Sequence, residues 1–286
     1  MLYNRKALTR RNDMTLTALF NQFMIFSFLG WVYETIYTTV TSKHWQNRGF
    51  LFGPICPIYG LGVISANMIF EVLLPNQLGI VNPPWWKVFF ICAMGSAILE
   101  YSISWLLETC FHAMWWDYSN VPLNIKGRIC LPATCGFGLA GIVFVKWIFP
   151  FIDANIPYLP TLASQFVALI FAMLLGADIA VTVASLSTLI SRLTAMQESF
   201  DIRMSNSVER IQNAPDEFRE RLASLSLPQK QQLISISKFR NVKYTSVATS
   251  LKESMIAFKD KAMDAAEAIA ERASAVRNKE EDSNES

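Results

Sequence analysis

Five apolar runs, each long enough to cross a bilayer, constrain this chain more than any other feature. A spanning helix needs about 20 mainly apolar residues, because the hydrocarbon is roughly 30 Å thick and each residue rises about 1.5 Å. The stretches 15–41, 54–75, 86–108, 129–150 and 160–191 qualify. The expected fold class is therefore all-α: a polytopic membrane helix bundle of about five transmembrane helices, with a soluble helical C-terminal tail. Its obligatory partner is the lipid bilayer. The second run opens Gly53-Pro54-Ile55-Cys56-Pro57, and two prolines there predict an irregular lead-in rather than regular helix.

Charge divides the chain in the same way. Residues 1–191 hold ten Lys/Arg and eight Asp/Glu, leaving fifteen of each to the last 95 residues. Charged residues make up 17% overall, against roughly 25% in soluble proteins. A net charge of +2 marks no nucleic-acid partner. Five cysteines, Cys56, Cys92, Cys110, Cys130 and Cys135, sit in or beside apolar runs, which argues against a secreted disulfide framework. The first apolar run is too long for the h-region of a cleavable signal peptide.

These boundaries give an N-terminal extension over 1–14, a transmembrane domain over 15–191 and a helical extension with linker over 192–245. An amphipathic helix follows over 246–278, with a disordered C-terminus over 279–286. In the amphipathic helix Leu251, Met255, Phe258, Ala262, Ala265, Ile269 and Val276 follow the four-and-three spacing of a coiled-coil seam, interrupted by Arg272. That seam offers a route to a homo-oligomer through residues 251–276.

The basic links set the expected orientation. Lys43, Arg48, Lys126 and Arg128 lie in the links at 42–50 and 109–128, whereas 76–85 and 151–159 carry no Lys or Arg. The positive-inside rule places the basic links, and with five spans the C-terminal tail, in the cytoplasm. Arg5, Lys6, Arg10 and Arg11 would then lie outside; a start at Met14 would remove that conflict.

The two halves of the membrane region echo one another. Gly30 precedes Glu34 in the first span and Gly95 precedes Glu100 in the third; each glutamate is followed by a basic link containing Trp and a Gly/Arg pair. The chain then re-enters through Cys56-Pro-Ile-Tyr-Gly-Leu-Gly62 in one half and Cys135-Gly-Phe-Gly-Leu-Ala-Gly141 in the other. Both halves would run in the same direction, as a parallel repeat.

Glu34, Glu71, Glu100 and Asp178 fall within apolar spans. A charge there costs about 2.5–3.5 kcal/mol on insertion scales, so such residues face the bundle interior or water. Glu34 and Glu100 share a depth of about 10 Å from the basic side. Two readings follow: a polar cavity open to the basic links, or ion pairs that fix helix packing. Glu71 and Asp178 fit the packing role better. Trp115-Trp116-Asp117-Tyr118-Ser119-Asn120 reads as an interfacial aromatic belt; alternatively its Asp117, with Asn124, Lys126 and Arg128, completes an anion or head-group site. His44 and His112 lack metal-ligand spacing, so no metal is expected. No Walker A sequence, phosphate loop or nucleophile elbow occurs, and no cofactor motif.

Several segments together resemble a known family. They are Phe28-Leu29-Gly30-Trp31 with Glu34-Thr35, Asn47-Arg48-Gly49-Phe50-Leu51-Phe52-Gly53-Pro54, and Cys56-Pro57-Ile58-Tyr59-Gly60. Leu99-Glu100-Tyr101, Trp115-Trp116-Asp117-Tyr118-Ser119 and Asn124-Ile125-Lys126-Gly127-Arg128-Ile129-Cys130-Leu131 complete the set. Over roughly residues 15–150 the chain resembles the CmpB-type ABC transporter permease family of bacteria. The resemblance implies a multi-span bacterial membrane protein and, since no ATPase domain is present, a separate ATPase subunit. An EAA-type coupling loop is not found.

Three functional readings result. The first is a permease-like subunit that binds a small solute or anion in a cavity built from Glu34, Arg48, Glu100, Asp117, Asn124, Lys126 and Arg128. The second is a non-transporting scaffold or regulator that uses its cytoplasmic helical tail. The third is a membrane enzyme acting on lipid head groups, for which no residue is marked as a nucleophile.

Overall fold

The computed structural model describes residues 16–42, 47, 49–77, 82–155, 161–206 and 224–239, with the short pieces 248–249, 251–253 and 255–256. Arg48 and Lys43, the N-terminal cations, Met14, the heptad positions from Phe258 onward and the C-terminus over 279–286 lie outside the described residues. The chain divides into two compact units, residues 1–190 with 227–240, and residues 191–226 with 241–286.

The expected runs become helices. They are α1 (Leu16–Ser42), α2 (Pro57–Asn67), the short α3 (Leu74–Gln77), α4 (Trp85–Phe111), α5 (Leu131–Val143), α6 (Phe149–Asn155) and α7 (Thr161–Asn206). A further helix, α8 (Leu227–Ser235), follows Ser226. Four helical stretches, Leu16–Thr41, Trp85–Phe111, Leu131–Ile152 and Thr161–Ala195, are long and apolar enough to cross a membrane. The second expected span forms a shorter apolar helix, Pro57–Leu73, because Gly49–Cys56 has no helical structure. Pro57 falls in the first turn of α2 and Pro132 in the first turn of α5, where a missing N–H costs nothing.

Both re-entering helices change pitch near their far ends. Met68–Leu73 and Phe144–Ile148 are π-helical, and each lies just before a proline, Pro75 and Pro150. A proline ring clashes with the carbonyl four residues back and lacks a donor, and widening the preceding turn relieves that conflict. The two π-turns meet: Phe70 and Val145 share one buried cluster with Leu74, Val88 and Phe149. On the lipid side, Phe90, Met94, Ile98 and Trp105 form an exposed apolar stripe along α4, as a bilayer requires and water would not permit.

Helix pairing repeats as well. α1 packs on α2, and α4 on α5. Gly60 lies against Phe23 and Ser27, and Gly138 against Phe89; Phe23 and Phe89 each stand eleven residues before their half's glutamate. Gly30 is likewise covered by Tyr59, and Gly141 by Cys92. A side chain at any of these glycines would push the helices apart.

Four two-residue strands interrupt the helical pattern among the described residues. Asn124–Ile125 (β2) pairs antiparallel with Ile129–Cys130 (β3), and Ala113–Met114 (β1) pairs antiparallel with Lys238–Phe239 (β4). The second pairing draws a segment expected inside a linker over 192–245 onto the membrane unit. In the other unit, Arg192 Nη1 donates to Ser224 O at 2.9 Å, and Leu193, Leu225, Ala248 and Leu251 are buried.

Candidate functional site

The 112–130 link is a built structure rather than a loose loop. His112 ends α4 in the left-handed region, its amide donating to Glu108 O at 2.8 Å. The chain turns back through Ile125-Lys126-Gly127-Arg128, closed by Arg128 N donating to Ile125 O at 3.0 Å. Lys126 and Gly127 have φ of 55° and 70°, the sign needed at both central positions of a type I′ hairpin turn. Gly127 is required twice over, since a Cβ there would strike Asp117 Oδ1 and Ser119 Oγ. Asn124 fixes the loop from inside: its Nδ2 donates to Val121 O at 2.8 Å, and its Oδ1 accepts from Gly127 N at 3.1 Å.

Arg128 is held on three sides. Nη2 pairs with Glu108 Oε2 at 2.8 Å, and Nη1 donates to Tyr101 Oη at 3.0 Å. The guanidinium also lies 5.0 Å from the centre of the Tyr101 ring, within cation–π range. Glu108 holds the Arg128 pKa above its ordinary value. Only 8% of Arg128 is exposed.

A cavity of about 450 Å³ opens here, lined by Glu108, Ser119, Asn124, Lys126, Gly127, Arg128 and Lys238. Three of these side chains are cationic and one is anionic, and that carboxylate already binds Arg128. Among the described residues Lys126 has no carboxylate partner. Asp117 stands beside the cavity and pairs with Lys238 at 3.5 Å. Burial pushes its carboxyl up, but hydrogen bonds from Ser119 and the charge of Lys238 outweigh that and hold it below the usual range.

Glu34 and Glu100 do not line this cavity; each is capped by a tyrosine within the bundle. Tyr59 donates to Glu34 Oε1, and Tyr118 donates to Glu100 Oε1 at 3.3 Å. Glu100 is 4% exposed, and its Oε2 has no hydrogen-bond partner. Burial, then the Glu100, Cys130 and Glu34 side chains, raise the Tyr118 pKa well above the ordinary tyrosine value. The hydroxyl therefore stays protonated, and both glutamates act on it. Because Tyr118 follows Asp117, it joins the carboxylates below to the cationic cavity.

Residues 21–183, just over half of the chain, match a protein family described as "Putative ABC-transporter type IV". The chain belongs to that ABC-transporter family. No curated protein and no solved structure matches it. This ABC-transporter-family protein is thus a multi-pass membrane protein, as its apolar helices require. The matched segment contains Glu34, Glu100, Asp117, Asn124, Lys126 and Arg128, and it ends long before Lys238.

The structure thus brings Asn124, Lys126 and Arg128 together, sets Asp117 next to them, and keeps Glu34 and Glu100 apart as a separate carboxylate–tyrosine set. Arg48 lies outside the described residues. Asp178 serves packing: its Oδ1 accepts from Gly53 N at 2.9 Å and anchors the irregular lead-in to α2. Glu71 falls in the first π-turn. The aromatic-belt reading of the link does not describe Trp115, which is buried against Phe50 and Phe111; Trp116 is half-buried, and its Nε1 donates to Arg128 O at 2.9 Å. Among the described residues no group of three or more His, Cys, Asp or Glu could hold a metal ion. Sequence reasoning missed Tyr59, Tyr101, Glu108, Tyr118, Ser119 and Lys238. Glu108 carried a signal, as the acidic residue closing a span opposite the basic link.

Proposed function

We propose that this protein is the membrane-embedded subunit of a transport assembly, that its link cavity takes the anionic group of a small solute, and that a separate ATPase supplies the energy. The observation that carries the proposal is the charge of the cavity. Lys126, Arg128 and Lys238 line it with Glu108, and Asp117 pairs with Lys238 beside it, which leaves an excess of one positive charge, carried by Lys126. Its volume falls in the range of small-molecule pockets. Asn124 and Ser119 add polar groups for orientation, and the buried Glu100–Tyr118 pair beneath gives a polar step toward the bundle interior. The basic links and the C-terminal tail face the cytoplasm in this reading, so the cavity opens on the side where ATP is made available.

The substitutions that test this differ in what they disturb. Arg128→Ala removes half of a nearly buried ion pair, which costs about 3 kcal/mol of stability, so its loss of binding has two causes. Lys126→Ala breaks no ion pair among the described residues. Purified Lys126→Ala protein should keep the wild-type melting temperature and bind inorganic phosphate or a small carboxylate at least tenfold more weakly. Undiminished anion binding in that variant would refute the cavity's role.

A scaffold or regulator that uses its tail is the competing reading, favoured by the docking of residues 227–239 on the membrane unit. It predicts no anion binding by the wild-type protein.

A further inference from the structure

One wall of the cavity comes from a piece of chain beyond the family-matched segment. After Ser226 the polypeptide forms α8 and β4 and lies across both basic links. Gln231 Nε2 donates to Phe52 O at 3.0 Å, Gln232 Nε2 to Phe50 O at 2.7 Å, and Ser235 Oγ to Asn47 O at 3.3 Å. Those three bonds hold the first link. The second link is held by Ser237, whose N donates to Met114 O at 2.8 Å and whose Oγ donates to Trp115 O at 2.8 Å. β4 then pairs with β1, and Lys238 reaches the cavity wall beside Asp117. Gln232, Leu233 and Ile236 are almost wholly buried, so the segment is part of the folded unit rather than resting on it.

We infer that residues 227–239 form a strap that completes the anion site, with Lys238 as its specificity-determining residue and a phosphate-sized anionic group as its ligand. The inference rests on the function proposed above and adds to it. Three observations support it independently of that reading. First, the link hairpin supplies two cations to the cavity, one of them committed to Glu108, and the strap supplies the third. Second, Lys238 is held at its backbone by the β1 pairing, yet its side chain is 46% exposed; a fixed backbone with a half-exposed head group is the arrangement of a ligand contact. Third, its partner Asp117 is 3.5 Å away, a loose contact that an arriving phosphate or carboxylate oxygen can replace with a shorter, charge-assisted bond. The strap also reads both links at once, so a ligand that tightens Lys238 restrains the lead-in to α2 as well.

The ligand group is either free in solution or part of an anionic lipid head group, and the experiment separates these sources. Full-length protein is placed in phosphatidylcholine nanodiscs and titrated with inorganic phosphate. A parallel sample uses nanodiscs containing phosphatidic acid. Wild type, Lys238→Gln, Lys238→Arg, Lys230→Gln and Lys126→Ala are compared, with amide exchange of residues 227–239 followed in each. The expected result is binding at least tenfold weaker in Lys238→Gln, near-wild-type binding in Lys238→Arg, and no change in Lys230→Gln, which alters charge on the strap away from the cavity. Exchange over the strap should slow when the ligand is present. A response to phosphatidic acid alone assigns the site to a head group, and a response to free phosphate assigns it to a solute; either supports the strap if Lys238→Gln weakens it. Equal binding by Lys238→Gln and wild type, with Lys126→Ala still impaired, overturns the strap and leaves the anion cavity standing. Absence of wild-type binding in both samples overturns both.

Discussion

Asp117 shows how finely the link is balanced at the scale of single residues. It accepts from the amide and hydroxyl of Ser119, pairs with Lys238, and leaves room for no side chain at residue 127. Its carboxyl is held below the ordinary aspartate range, so the folded state favours the charged form. The stabilisation is therefore fully present above that range and is lost as pH falls through the lowered value. With its partner Lys238 half exposed, the ion pair itself contributes little, and the Ser119 hydrogen bonds carry most of the effect. The difference in melting temperature between wild type and Asp117→Asn should be greatest near neutral pH and close as pH drops below about 4. A gap that stays constant across that range would show that the charge of Asp117 is not what holds the link.

Individual residues also show where sequence reading ends. Glu34 and Glu100 stand out because a carboxylate in an apolar run is costly wherever it lies. Their tyrosine partners do not, because Tyr59 and Tyr118 look like ordinary interfacial aromatics until the helices are packed. The same limit separated Trp115 from the belt it resembles: a tryptophan beside a span is read as interfacial, and only the arrival of Phe50 from the other link buries it.

Among the elements, the helix pairs carry the internal echo. A cysteine N-cap with a proline in the first turn, facing glycines and a π-turn recur in both halves, and the two links meet where Phe50 stacks edge-on against Trp115 at 5.2 Å. The apolar runs made four long helices legible from composition alone. They did not reveal that the run at 54–75 shortens to Pro57–Leu73, because hydropathy averages over the irregular lead-in that Asp178 and Thr182 hold in place. The glycine contacts give a direct test of the pairing. Gly138 faces the Phe89 ring and carbonyl, whereas nothing lies within 4 Å of a Cβ placed at Gly136. Gly138→Val should lose about 1–3 kcal/mol through overpacking, and Gly136→Val, two residues away on the same helix, should lose much less. Thermal unfolding in detergent measures both; equal losses would mean that helix propensity, not close approach, explains the glycines.

At the scale of the whole molecule, the boundary between membrane region and tail is less simple than charge density suggests. The tail is rich in charge overall, and this hides a stretch from Glu220 to Glu253 with no acidic residue between them. That stretch contains α8 and β4, and its composition is what a segment docked on two basic links and a cationic cavity would need if anions are to be received rather than repelled by it. The signal is present in the sequence but becomes readable only once the strap's glutamines are seen to satisfy link carbonyls. The decisive measurement is transport. Protein purified in mild detergent with its co-purifying ATPase is reconstituted into liposomes, and ATP-dependent movement of radiolabelled small anions is followed for wild type and Lys126→Ala. The account predicts ATP-dependent movement by the wild type and its loss in the variant, with both equally inserted. Failure of any ATPase to co-purify, together with no ATP-dependent anion movement by the wild type, would contradict it.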